Sequence, residues 1–188
     1  MALIGYIYDR NNSLIGQLFG VVGFQCTMKL NDISTGELSI SNESIQDALI
    51  LLKENNRIKV TLGNDDGTEQ ELISWYIRGI EASLTTTVIK IEDLTSMFDD
   101  KIIYSQISFT GTITQLLQNI LDGLNQRENT GITLSCDVTE VVSKEYPRGE
   151  TIGNILKDLR QNTYEYCVKS NILYFQTTIG IDRSLIWN

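Results

Sequence analysis

The sequence predicts an α+β protein: an antiparallel β sandwich or barrel with one flanking helix over residues 1–105, then a small unit of two helices and a C-terminal hairpin over residues 106–188. Three patterns predict it. Ile73, Trp75 and Ile77 fall on one face of a strand, and Thr87, Ile89 and Ile91 on one face of the next, the period of two that marks half-buried sheet. Ile45, Ala48, Leu49 and Leu52 recur at i, i+3, i+4 and i+7, the period of a helix with one apolar side. Beyond Asp99-Asp100 the strand pattern gives way to two helical stripes, from Ile113 to Leu124 and from Ile152 to Leu159.

Leu3 to Tyr8 opens as a strand, and Asp9 to Ser13 reads as a turn by composition. Phe24 to Asn31 alternates apolar and polar residues, and Leu38 and Ile40 continue the sheet after Asp32 to Gly36. The helix from Ser44 to Glu54 has Asn42 or Ser44 available as N-cap and stops at Asn55-Asn56. A strand with Ile58, Val60 and Leu62 follows, and Gly63 to Gly67 turns the chain toward Trp75. Residues Ala82 to Thr86 then join the two alternating strands as a meander.

In the second half, Thr110 or Thr112 caps a helix whose Ile113, Leu116, Leu117, Ile120, Leu121 and Leu124 form a wide apolar face. Buried together, these side chains contribute roughly 10 kcal/mol before entropy costs. Ile132 to Val138 is a strand. Pro147-Arg148-Gly149 leads into a helix carrying Ile152, Ile155, Leu156 and Leu159, which ends near Gln161-Asn162. Tyr164 to Lys169 and Ile172 to Thr177 form a hairpin around Ser170-Asn171. Thr112-Ile113-x-x-Leu116-Leu117 and Thr151-Ile152-x-x-Ile155-Leu156 share a spacing that a distant duplication produces, as do two short amphipathic helices by chance.

The 188 residues suffice for one compact domain or two small ones. With 41% apolar and 21% charged residues, the chain is neither disordered nor membrane-spanning in composition, and it lacks the run of about eighteen apolar residues that a helical anchor needs. The opening MALIGYIYDR lacks the basic start and long apolar core of a secretory signal, so synthesis and assembly in the cytoplasm are expected. A net charge of −9, from 24 acidic and 15 basic residues, argues against holding DNA or RNA. The same charge suits a wall past which nucleic acid slides without sticking, and it also serves plain solubility.

Chemistry finds few candidates. No histidine exists for a Ser-His-Asp or Cys-His arrangement, and Cys26, Cys136 and Cys167 form no CxxC pair for a metal. Cys26 and Cys136 share strand faces with apolar neighbours and read as small buried hydrophobes, whereas Cys167 alternates with Glu165 and Lys169 and reads as the most exposed thiol. Asp65-Asp66 and Asp99-Asp100 are the carboxylate pairs, and both read as turn or solvated residues. No GxGxxG or GxxxxGK[ST] phosphate cradle occurs. No catalytic residue, metal or cofactor is expected.

The string Tyr76-Ile77-Arg78-Gly79-Ile80, followed after a spacer by Ile91-Glu92-Asp93-Leu94, resembles the pattern of bacteriophage tail and baseplate hub proteins. There a strand ends in an apolar residue, a Gly and another apolar residue, and its partner leads into an Asp. Thr151 to Phe175, TIGNILKDLRQNTYEYCVKSNILYF, is similar to the Thr-x-x-x-x-Leu helix and hairpin that follow the first tube domain in that family.

The resemblance implies a β domain of tail-tube type and a structural virion component, not an enzyme. Such a hub forms a ring of three or six copies, continuous with the tail tube and the DNA ejection channel. Its neighbours are tube, distal tail and fibre or spike proteins; DNA passes through without specific binding, in a virion tail assembled in the host cytoplasm. Hubs of larger tails carry two tube domains per chain, and this sequence has room for one. The resemblance therefore implies a chain that forms a hexamer directly, one that takes its second domain from another protein, or a reduced hub or tube-connecting protein of a smaller tail.

Candidate subunit contacts are Leu185, Ile186 and Trp187, which carry apolar side chains past the last strand, together with Cys167. The alternative is a free-standing β-domain module for carbohydrate or peptide, with Tyr164, Tyr166, Tyr174 and Phe175 as its aromatic site. An enzyme working with carboxylates alone is a third reading.

Overall fold

A computed structural model describes residues 2–45, 49–65, 67–128, 130–161 and 163–179, and every count below refers to these. The first strands are β1 (Ala2–Tyr8), β2 (Leu14–Leu18), β3 (Val21–Thr27) and β4 (Thr35–Ser41), followed by a short helix, α1 (Asn42–Ile45). Strands β5 (Arg57–Gly63), β6 (Glu69–Ala82) and β7 (Thr86–Glu92) complete one antiparallel sheet of seven strands in the order β2-β1-β5-β6-β7-β4-β3.

The period-two pattern decides which face is inside. Ile73, Trp75, Ile77, Thr87, Ile89 and Ile91 are all buried, and Ile7, Leu38, Ile40, Ile58 and Val60 join them from the neighbouring strands. Gly36 has to be small there: a Cβ would stand 2.9 Å from the Gln25 carbonyl oxygen and 3.1 Å from the Trp75 ring. The β1–β2 turn follows its composition, with the Asp9 carboxylate accepting from the backbone N–H groups of Asn11 and Ser13, both at 2.9 Å.

The sheet curls on itself. Strands β2 and β3 are consecutive in sequence yet form its opposite edges, joined only by Phe19 and Gly20. Gly20 takes a φ of 71°, its carbonyl accepts from Ser41 N–H at 3.0 Å, and β1 lies against β3. The result is a barrel-like sheet whose two edge strands meet at one corner.

The helix expected from Ser44 to Glu54 is not formed at that length. Helical structure covers Asn42–Ile45, and the described residues 49–55 are turns and irregular chain, with Leu52 buried but Leu49 and Ile50 exposed. Other bonds hold this stretch: Asn56 donates from its side chain to the Leu51 carbonyl at 2.9 Å, and Asn55, at a φ of 67°, donates its N–H to Ile77 at 2.9 Å. Ala48 and the Ile45 side chain lie outside the described residues.

The rest of the chain builds a second core. It comprises α2 (Thr95–Asp100), β8 (Ile107–Thr112), α3 (Ile113–Arg127), β9 (Thr133–Cys136), β10 (Val141–Tyr146), α4 (Ile152–Arg160), β11 (Glu165–Lys169) and β12 (Ile172–Gln176). All six apolar residues of the expected α3 stripe are buried, as are the four of α4. Thr112 caps α3 by accepting from Gln115 N–H while the Gln115 side chain accepts from Thr112 N–H, a capping box; Thr151 accepts from Asn154 N–H at α4. The β11–β12 hairpin turns at Ser170 and Asn171, both at positive φ, and β12 pairs in parallel with β9. Leu94, Met97, Phe98 and Ile103 pack into this second core rather than the first. No described helix is long and apolar enough to cross a membrane.

Candidate assembly surface

From Leu14 to Met28 the chain contains no charged residue and no proline, although about one residue in five of the whole sequence is charged. Those fifteen residues are both edge strands of the seven-stranded sheet and the corner between them. Edge strands present unpaired N–H and C=O groups, and soluble proteins guard them with charge, proline or a covering element. Here the edges carry exposed apolar side chains instead: Leu14, Ile15, Phe19, Val22 and Met28. A bulge between Val21 and Gly23 leaves Val22 without a register partner on β4 and turns it outward at 62% exposure.

A second apolar group stands beside this corner. Asn42 N–H donates to the Thr85 carbonyl at 3.0 Å and the Asn42 side chain to the Ser83 carbonyl at 2.8 Å, next to the Ser41–Gly20 bond. The tip of the β6–β7 hairpin therefore comes to the same end of the barrel as Phe19, and its Leu84 is 99% exposed.

The sequence matches no protein-family profile and no curated protein. Solved structures do match in fold. The prophage tail protein gp18 from Listeria monocytogenes is similar with a TM-score of 0.59 at 12% identity, over 94% of this chain and 50% of that one. The tail protein from Neisseria meningitidis gives a TM-score of 0.60 at 11% identity, over 93% and 50%. The chain shares its fold with phage tail proteins. The E. coli c3393 protein, a type VI secretion component described as structurally similar to the T4 bacteriophage tail proteins gp27 and gp5, gives 0.52 at 9% identity, over 93% and 45%. The chain thus spans about half the length of each of these proteins.

Within this tail-protein fold, the string from Tyr76 to Ile80 has a definite task. The β6–β7 register shifts between Ile77 and Gly79, so Arg78 sits in a bulge. From there its guanidinium donates to Glu92 at 3.0 Å, Asn55 at 2.7 Å, Ser96 at 2.9 Å and Asp100 at 2.9 Å. Asp93, buried at the end of β7, accepts from the N–H groups of Ser34 at 3.1 Å and Thr95 at 3.0 Å. Burial pushes its carboxyl above the ordinary range despite these donors. Arg78 and Asp93 together tie the seven-stranded sheet to α2 and hence to the second core.

The other residues singled out by sequence are dispersed. Leu185, Ile186 and Trp187 lie outside the described residues, as does Asp66. Cys167 is half-buried on β11 opposite Tyr174, sharing its face with Glu165 and Lys169, and burial pushes its thiol up. Cys26, expected inside, is exposed: on edge strand β3 only Val21 and Phe24 reach the barrel core. Cys136 is half-buried against the second core and accepts from the Thr114 hydroxyl. Asp99 accepts from Lys157 at 3.2 Å and Asp100 from Arg78, so the two carboxylates serve separate ion pairs. Of the aromatic hairpin, Tyr166 and Phe175 are core residues stacked at 6.4 Å, and Tyr164 packs against Phe175 at 5.8 Å. The uncharged stretch from Leu14 to Met28 is the signal in the sequence itself that points to this surface.

Proposed function

We propose that this protein is a structural component of a phage tail or a related injection machine, a hub protein that forms a ring of three or six copies continuous with the tail tube. The observation that carries the reading is the unguarded β2–β3 corner, uncharged from Leu14 to Met28, on a sheet whose fold is shared with tail proteins. A free monomer with such edges risks aggregation; covered by neighbouring subunits, the same edges extend the sheet around a channel.

The mechanism is geometric. Sheets from successive copies close the ring, the second core braces it from outside, and a chain of net charge −9 gives DNA no adhesive wall. In this reading residues 1–105 and 106–188 act as two units, and Leu185, Ile186, Trp187 and Cys167 supply further subunit contacts. Tube, distal tail and fibre or spike proteins flank the ring in a virion tail assembled in the host cytoplasm. No chemistry is catalysed.

Immunogold electron microscopy of assembled particles with antibody against this chain tests the reading. Label at the tail tip or along the tail axis is expected. Label on the capsid, or its absence from purified particles, rules the reading out.

A further inference from the structure

The edges of the three sheets are not treated alike. Strand β11 is closed by Asn31, whose N–H donates to the Tyr166 carbonyl at 3.0 Å and whose side-chain oxygen accepts from Tyr166 N–H at 2.7 Å, and it also carries Glu165 and Lys169. Strand β9 is held at both ends by α3, through Asn125 to the Ile132 carbonyl at 2.8 Å and Thr114 to the Val138 carbonyl at 2.7 Å. Strand β10 carries Lys144 and Glu145. Among the described residues, three edges are left with neither a covering element nor a charged side chain: β2, β3 and β8.

Strand β8 pairs only with β10, in a two-stranded sheet, and its other side has no strand partner among the described residues. It lies inside a second uncharged run, from Ile102 to Leu121, and its Ser108 and Thr110 are exposed. Two-stranded sheets are weak by themselves and gain from a third strand.

A ring imposes a further requirement. Its contacts are head-to-tail, so each copy needs two different faces, one for each neighbour. Strands β2 and β3 meet at Phe19–Gly20 and make one face between them. We infer that the free edge of β8 is the second face, and that it receives the β2–β3 edge of the neighbouring copy as an added strand. This inference rests on the ring reading above. The pairing is main-chain hydrogen bonding between uncharged edges of matched length, β3 having seven residues and β8 six.

Two lysine substitutions separate this pairing from the ring reading. Val22→Lys charges the β2–β3 face and Thr110→Lys the β8 face, both at exposed positions, so unchanged melting temperature and circular dichroism are expected; Ser108→Lys replaces Thr110→Lys should the latter unfold the chain. By mass photometry of the full chain, each variant alone assembles about tenfold or more weakly than the unaltered chain. Mixed together they form a one-to-one pair but no ring, because each still has one good face. Thr110→Lys and Ser108→Lys assembling like the unaltered chain while Val22→Lys does not overturns the β8 assignment alone, as does a mixture that stays monomeric. An unaltered chain that is monomeric at all concentrations overturns the β8 assignment and the ring reading together.

Discussion

Asn31 holds Tyr166 as a strand would: its backbone N–H donates to the Tyr166 carbonyl at 3.0 Å, and its side-chain oxygen accepts from the Tyr166 N–H at 2.7 Å. The two residues are far apart in sequence, Tyr166 in the second core and Asn31 between β3 and β4, so one asparagine at a φ of 62° both bonds the β11 edge and fastens the three-stranded sheet to the barrel. Asn171 in the β11–β12 turn adds a second bond, accepting from Arg57 at 2.7 Å. Replacing Asn31 by alanine removes the side-chain acceptor and places a residue poorly suited to left-handed backbone at that φ. The expected loss is about 1–2 kcal/mol in urea unfolding. A change within error would show that the two cores are held by other contacts.

The α3 stripe supports a larger prediction. Leu117 is 1% exposed in the second core, so Leu117→Ala is expected to cost about 2–5 kcal/mol through lost burial and a residual cavity. Calorimetry with no loss of melting temperature would place this face of the helix in solvent.

The helix caps give a smaller effect at known atoms. Thr112→Ala removes the acceptor for Gln115 N–H and breaks the capping box, with an expected cost of about 1 kcal/mol. Thr112→Ser keeps the oxygen and should restore most of it. A serine variant as unstable as the alanine would mean that the methyl group, not the cap, matters.

Asp93 sets a pH dependence. Its carboxyl is raised above the ordinary 3.8 by burial, so on lowering the proton concentration the unfolded chain releases this proton before the folded chain does. Its contribution is therefore fully favourable below pH 3.8 and declines as pH rises from there through the folded-state value, then levels off. Asp93→Asn should flatten that part of the stability curve relative to the unaltered chain. Parallel curves for the two proteins would contradict the assignment.

What could be read in the sequence was what periodicity records. Ile73 to Ile77 and Thr87 to Ile91 alternate because one face is buried, and Ile113 to Leu124 repeats with helical spacing because one side packs on the second core. Residues 49–55 show the limit: the helical spacing expected there is outcompeted by the bonds of Asn55 and Asn56 to distant and neighbouring backbone. Strands β8 and β10 are short, and the parallel pairing of β9 with β12 joins segments no local pattern links. The uncharged run from Leu14 to Met28 was visible, but it acquires meaning only when β2 and β3 prove to be the edges of one curled sheet.

The most direct test of the central claim is the mass of the purified full chain in solution, measured by light scattering across a concentration series. The account predicts assembly into a closed ring of three or six copies at the upper concentrations, reversible on dilution. A single copy of 21.2 kDa at every concentration would contradict it.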